Sequence, residues 1–184
     1  MGFWNTFFGK KKREEGVLQS NNSITKFTVD TSNTAEKFKE FTQETIDFLI
    51  PTLVRFNDLE REICARSEAL KNPYQPNQVQ PREDELWAEY SQRHNDLLRE
   101  VMIEPEFNRS LAFGIPTRYD YLYRPDLQLF ITQKSEQRAT LEFHYTHGIT
   151  RYEQFVVKKE NNQWKLASKK YRFSPDDSWR RDDI

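Results

Sequence analysis

The feature that most constrains the fold is a run of alternating apolar and polar residues in the last third of the chain, Tyr119 to Phe173. A β-strand points successive side chains to opposite faces, so period-two alternation marks a strand with one buried face. From Arg151 to Lys158, Phe155 and Val157 fall on one face, and Gln154 and Lys158 fall on the other. Glu160-Asn161-Asn162-Gln163 follows, a polar group with two residues that tolerate left-handed backbone angles, and then come apolar Trp164 and Leu166. This pattern predicts a tight hairpin. Downstream the apolar parity changes, from Trp164 and Leu166 to Tyr171 and Phe173. A strand keeps its faces unless a residue is inserted, so a β-bulge or sharp bend is expected between Ala167 and Lys170, in a curved sheet.

Two more strands precede these. Leu127, Leu129 and Ile131 alternate with Gln128 and Thr132, and Ala139, Leu141, Phe143 and Tyr145 alternate with Arg138, Thr140, Glu142 and His144. Lys134-Ser135-Glu136 and His147-Gly148 are short enough to be tight turns, so the strands form a meander with antiparallel neighbours. Tyr119, Tyr121 and Tyr123 share a period-two face and are read as the start of this strand region.

The earlier half of the chain is helical. Phe38, Phe41, Thr45, Leu49, Leu53, Phe56 and Ile63 recur at spacings of three or four, widened by Ile46, Ile50 and Val54. Asn33 with Glu36 resembles a cap for this helix, and Pro51 predicts a kink or break near its middle. Prolines at 73, 76 and 81 mark a connection. A second helix opens on Glu83-Asp84-Glu85 and carries Leu86, Trp87, Tyr90, His94, Leu97, Leu98, Val101 and Met102 toward the sheet. A further short helix is expected over 106–113, and a short edge strand or linker over Ile24 to Val29. Residues 1–32 read as an N-terminal segment and linker, 33–175 as one domain, and 176–184 as a polar tail.

The 184 residues, 36% hydrophobic and 14% aromatic, are enough to bury one core. The net charge of -1 points to neither nucleic acid nor an anionic membrane. A single cysteine, Cys64, excludes an internal disulfide framework. With no secretory signal and no run apolar enough to cross a bilayer, a cytoplasmic location is expected. Phe3, Trp4, Phe7 and Phe8 precede the basic run Lys10 to Arg13. They form either an edge that packs on the domain or a partner, or an anchor at a membrane interface.

Helices followed by an antiparallel meander that ends in VVKKENNQWKLAS resemble the nuclear transport factor 2-like superfamily, over roughly residues 33–173. The resemblance implies an α+β fold in which helices pack on the concave face of a strongly curved antiparallel sheet, a cystatin-like cone. Within that superfamily the chain looks most like the immunity proteins of bacterial polymorphic toxin systems. That likeness implies a non-enzymatic module that neutralises a cognate toxin by binding it.

The residue chemistry narrows the alternatives. An isomerase or dehydratase of that fold needs an acid or base inside the cone. Glu142 and His144 lie on the parity opposite Leu141, Phe143 and Tyr145, and so face solvent or an interface. His94 reads as a buried structural histidine, or as part of a pocket with Tyr119, Tyr121 and Tyr145. Cys64 is alone, and His144 and His147 are not side by side on a strand, so no metal site is expected. No glycine-rich phosphate loop is present and no cofactor is expected. Basic pairs such as Lys158-Lys159 and Arg180-Arg181 have acidic residues beside them, which argues against nucleic acid. The expected partner surface is the outer face of the sheet, with Arg138, Glu142, His144, Tyr152 and Gln154 as contact residues. It would serve a toxin or a homodimer.

Overall fold

The computed structural model describes residues 14–16, 27–72, 74, 80–105 and 112–184. Among these, two long helices pack against a seven-stranded, mostly antiparallel open sheet, an α+β arrangement with strand order β1-β2-β3-β4-β5-β6-β7. The strands are β1 (Glu14–Gly16), β2 (Phe27–Asp30), β3 (Gln128–Ser135), β4 (Arg138–His147), β5 (Ile149–Glu160), β6 (Gln163–Arg172) and β7 (Arg180–Asp182). The helices are α1 (Thr42–Leu70) and α2 (Glu83–Val101). No described helix is long and apolar enough to cross a membrane.

The meander forms as its alternation dictates, with β3 to β6 each antiparallel to the next. Asn161 (φ 48°) and Asn162 (φ 63°) turn β5 into β6, and Gly148 (φ 68°) turns β4 into β5. A β-branched side chain at such an angle crowds the adjoining carbonyl. Asn162→Val should therefore cost about 1–2 kcal/mol, read as a lower urea midpoint, while Asn162→Gly should cost nothing.

The register of β5 against β6 steps from Val156↔Ser168 to Val157↔Leu166, which leaves Ala167 as the inserted residue. The bulge falls where the parity change required it. Trp164 and Leu166 are buried before it, and Lys169 is buried after it. A second irregularity lies at Lys134, between the pairs Gln133↔Ala139 and Ser135↔Arg138. Bulges of this kind bend and twist the strand that carries them.

Both helices bury their apolar faces on one side of the sheet. Ile46, Leu49, Ile50, Leu53 and Phe56 of α1 and Leu98 and Val101 of α2 share a core with Leu129, Ile131, Leu141, Phe143, Phe155, Val157 and Leu166. The two helices run antiparallel to each other, as the ion pairs Arg55–Glu100, Arg93–Glu62 and Arg66–Glu89 show. Leu59, Ile63, Leu86 and Tyr90 close the seam between them.

Several sequence expectations need correction. Pro51 does not break α1, which continues to Leu70. Pro51 is exposed, so the carbonyl four residues back that its missing N–H would have bound faces water. Asn33 is not a cap. The first turn, Glu36–Phe41, is a 3-10 helix whose N-cap is Ala35, and Thr34 instead bridges to β3, donating to the Ile131 carbonyl and accepting from the Gln133 N–H, each at 2.9 Å. Tyr119 to Tyr123 is not strand. Leu122 N–H donates to the Tyr119 carbonyl (3.1 Å) and Arg124 N–H to the Tyr121 carbonyl (3.1 Å), closing a 3-10 turn over Asp120–Tyr123.

The segment Ile24 to Val29, expected as an edge strand or linker, is described only from Phe27 on, where it enters β2, and β2 is not at an edge. It covers Phe27–Asp30, pairs antiparallel with β1 and parallel with β3, and is joined to β3 by the two-helix crossover that parallel neighbours require. The segment 176–184 is more than a polar tail. Its residues Arg180–Asp182 pair with Lys169–Tyr171, and Ile184 lies in the main core at 4% exposure. The helix expected over 106–113 falls mainly outside the described residues, as do Phe3, Trp4, Phe7 and Phe8.

Candidate functional site

On the face of the sheet opposite the helices, the strand register lines up a band of rings. Cα partners Gln128↔His144, His144↔Tyr152 and Tyr152↔Arg172 carry it across β3 to β6. The Phe130 and His144 rings lie 4.3 Å apart, and the His144 and Tyr152 rings 4.5 Å apart, edge to face. The Arg172 guanidinium sits 5.3 Å over Tyr152 and 4.3 Å over Trp179. Phe130, His144, Tyr152, Arg172 and Trp179 are all half-buried. Aromatic–aromatic and arginine–aromatic contacts of this kind hold a surface in one shape.

Beside the rings, the Gln154 amide donates to Glu142 Oε1 (3.0 Å) across the β4–β5 pair. His144 Nε2 lies 3.6 Å from Glu142 Oε2, an ion-pair separation rather than a hydrogen bond. His144 is the main influence holding the Glu142 carboxyl below the usual carboxylate range, against the opposing pull of burial and with help from Gln154. Four of the five expected contact residues, Glu142, His144, Tyr152 and Gln154, are thus brought together. Arg138 shares the face but stands at the far end of β4, exposed and opposite Lys158.

The inner face holds a second cluster, which the sequence reading covered only in part. His94, Tyr119, Tyr121 and Tyr145 are linked by rings. Phe56 lies 5.1 Å from His94 and 6.2 Å from Tyr119, Tyr119 lies 6.1 Å from Tyr121, and Tyr121 stacks on Tyr145 at 4.3 Å and 14°. All four residues are buried. Two of them, Tyr121 and Tyr145, aim their hydroxyls at Glu153, which is 1% exposed. Tyr121 donates to its Oε2 (3.0 Å) and Tyr145 to its Oε1 (2.9 Å). Arg151 Nε approaches Oε1 to 2.9 Å without directing its N–H there, so that contact is an ion pair only.

Lys169 completes the cluster. Its Nζ lies 3.7 Å from Glu153 Oε2 and 3.0 Å from Asp182 Oδ2, and donates to the Asp183 carbonyl at 3.1 Å. It also sits 5.0 Å over the Tyr119 ring. Burial works to lower the Lys169 pKa, but Glu153, Tyr119 and Asp182 together raise it, so the amine stays charged. Asp182 is shared, since Arg151 also donates to its Oδ2 at 2.9 Å.

Burial drives the His94 pKa down to about 4, with Arg118 acting the same way, and its Nδ1 has no hydrogen-bond partner. At neutral pH the ring is therefore uncharged. Tyr121 and Tyr145 also wall a cleft of about 240 Å3, bordered by Arg118, Arg124, Arg151, Ile149 and Phe173.

Glu153, Lys169, Arg151 and Asp182 were not anticipated. Three of them carried a signal. Arg151 and Glu153 share the inward parity of Phe155 and Val157, and Lys169 shares the parity that follows the bulge. Charges on the core face of adjacent strands must be paired to be buried. Asp182 carried none, because a three-residue strand is too short to show a period. No family model, no curated protein and no solved structure matches this chain.

Proposed function

We propose that this chain is a protein-binding module, an immunity protein that neutralises a cognate toxin by direct contact through the outer face of its sheet. The fold of such a module would be the nuclear transport factor 2-like cone, with the helices in the hollow of a bent sheet. The two bulges and the placement of both helices on one face support that architecture. The observation that carries the functional reading is the ring band Phe130–His144–Tyr152–Arg172–Trp179 on the helix-free face. Tyrosine, tryptophan and arginine held in place by their neighbours are the usual energetic anchors of protein interfaces, because they desolvate large areas at little cost in side-chain entropy.

Affinity capture of the tagged protein from its native cells, followed by a salt wash and mass spectrometry, tests this. One stoichiometric partner with a toxin-like domain is expected. Tyr152→Ala and Arg172→Ala should each weaken its capture at least tenfold, on the order of 2 kcal/mol for an anchor residue, while changing stability by no more than about 1.5 kcal/mol. Capture of the chain by itself would indicate a homodimer instead. A second reading, small-molecule binding, is favoured by the cleft beside Tyr121 and Tyr145, whose rim carries three guanidinium groups. A rise in melting temperature with an aromatic anion, absent from Tyr145→Ala, would support it.

A further inference from the structure

Residues 180–184 bind the rest of the molecule as a peptide ligand would. Arg180–Asp182 add a strand to the edge of β6 through only three register pairs. Asp182 places its carboxylate between Lys169 and Arg151. Lys169 donates to the Asp183 carbonyl, and Arg118 donates to the Ile184 carbonyl at 3.3 Å. Ile184 then enters the core. Strand addition, a charge clamp and a single apolar anchor are the elements by which sheet edges recognise extended peptides.

Two observations separate this arrangement from a simple capped edge. The first is charge. Without the segment, the recess and its wall hold three buried or half-buried cations, Lys169, Arg151 and Arg118, against two carboxylates, Glu153 and Glu60. The recess is one negative charge short, so whatever occupies it must bring a carboxylate to this point. The second is fit. A hollow of about 330 Å3 lies between the segment and Arg118, Tyr145, Arg151 and Glu153. Another of about 290 Å3 lies between it and Met102, Ala167, Ser168 and Lys170. Open space thus flanks the strand now in the groove.

We infer that residues 180–184 occupy in cis a strand-acceptor groove whose partner in trans is an extended acidic segment of another protein, with a carboxylate two residues before an apolar side chain. This rests on the reading of the chain as a protein-binding module and gives the partner a chemistry. A three-residue strand with one anchor opens locally at far less cost than the strands it adjoins, which leaves room for exchange. The segment thereby also guards the edge of β6 until a better ligand replaces it.

Hydrogen exchange of the unmodified protein provides the first test. Amides of 180–184 should exchange at least a hundredfold faster than those of β4 and β5. Exchange at one common rate would make the segment a permanent strand and overturn the inference. The second test uses a labelled peptide, Ser178 to Ile184. The full chain carrying Asp182→Asn should bind it at least tenfold more tightly than the unmodified chain does, and should bind the same peptide with Asp182→Asn at least tenfold less tightly. In the full chain with Lys170→Cys and Arg181→Cys, which face each other across β6 and β7, the disulfide should abolish peptide binding and reduction should restore it. Equal binding by the oxidised and reduced forms would overturn the groove. If the oxidised form still captures a toxin through Tyr152 and Arg172, the binding-module reading stands and this inference fails. If the peptide binds as stated but no partner depends on Tyr152, the groove stands and the outer face is not the contact surface.

Discussion

Glu153→Leu should destabilise the protein by about 3–5 kcal/mol, the largest single-site effect expected here. Removing the carboxylate takes the acceptor from the Tyr121 and Tyr145 hydroxyls and leaves Lys169 and Arg151 with Asp182 between them. Lys169 is 4% exposed, so water cannot replace the lost charge. The converse change, Lys169→Met, should cost about 2 kcal/mol less. It leaves Glu153 compensated by Arg151 and by both hydroxyls, and the surplus negative charge falls on Asp182, whose side chain is 22% exposed and can reach water. Urea unfolding followed by tryptophan fluorescence measures both variants. Equal costs would mean that the two charges are desolvated alike, and that the hydroxyls draw little from the carboxylate.

Acid should weaken the fold through His94 by about 3 kcal/mol between pH 7 and pH 4. The folded protein holds His94 neutral down to about pH 4, whereas the unfolded chain takes up the proton near 6.5. Over that window the unfolded state binds more protons, so stability is full above pH 6.5 and falls with pH. Burial among Phe56 and Tyr90 is the main cause, and the nearby Arg118 charge acts the same way. Glu60 opposes the trend. Burial raises its pKa despite hydrogen bonds from the Arg118 and Gly114 N–H groups, so above about pH 4.5 its contribution falls as pH rises. Comparison with His94→Phe separates the two groups. The stability difference between the parent and that variant should fall by the His94 amount alone as the pH drops from 7 to 4, and a pH-independent difference would mean that the ring takes up its proton equally readily in the folded and unfolded chains.

The legible parts of this fold are those in which a local period meets a local turn. Phe155 and Val157 alternate against Gln154 and Lys158, and Asn161-Asn162 accepts left-handed angles, so the β5–β6 hairpin follows from neighbours in sequence. The Ala167 bulge was legible for the same reason: a parity change within one strand has no other cheap explanation. The outer-face residues Glu142, His144, Tyr152 and Gln154 were found through parity as well. Where spacing is ambiguous the outcome was different. Tyr119, Tyr121 and Tyr123 satisfy a two-residue period, yet they close a 3-10 turn in which the Tyr121 hydroxyl donates to Glu153, 32 residues away.

The sequence by itself determined the two long helices, the strands β3 to β6, the order of that meander, and the face its residues take. Those properties depend on side-chain periodicity and on turn backbone angles, both local. Only the tertiary structure decided that Glu153, Lys169 and Asp182 meet, that Ile184 completes the core, and that His94 loses its proton. Each of these depends on how much water remains around a group once distant segments have packed against it, and no short stretch of sequence carries that information.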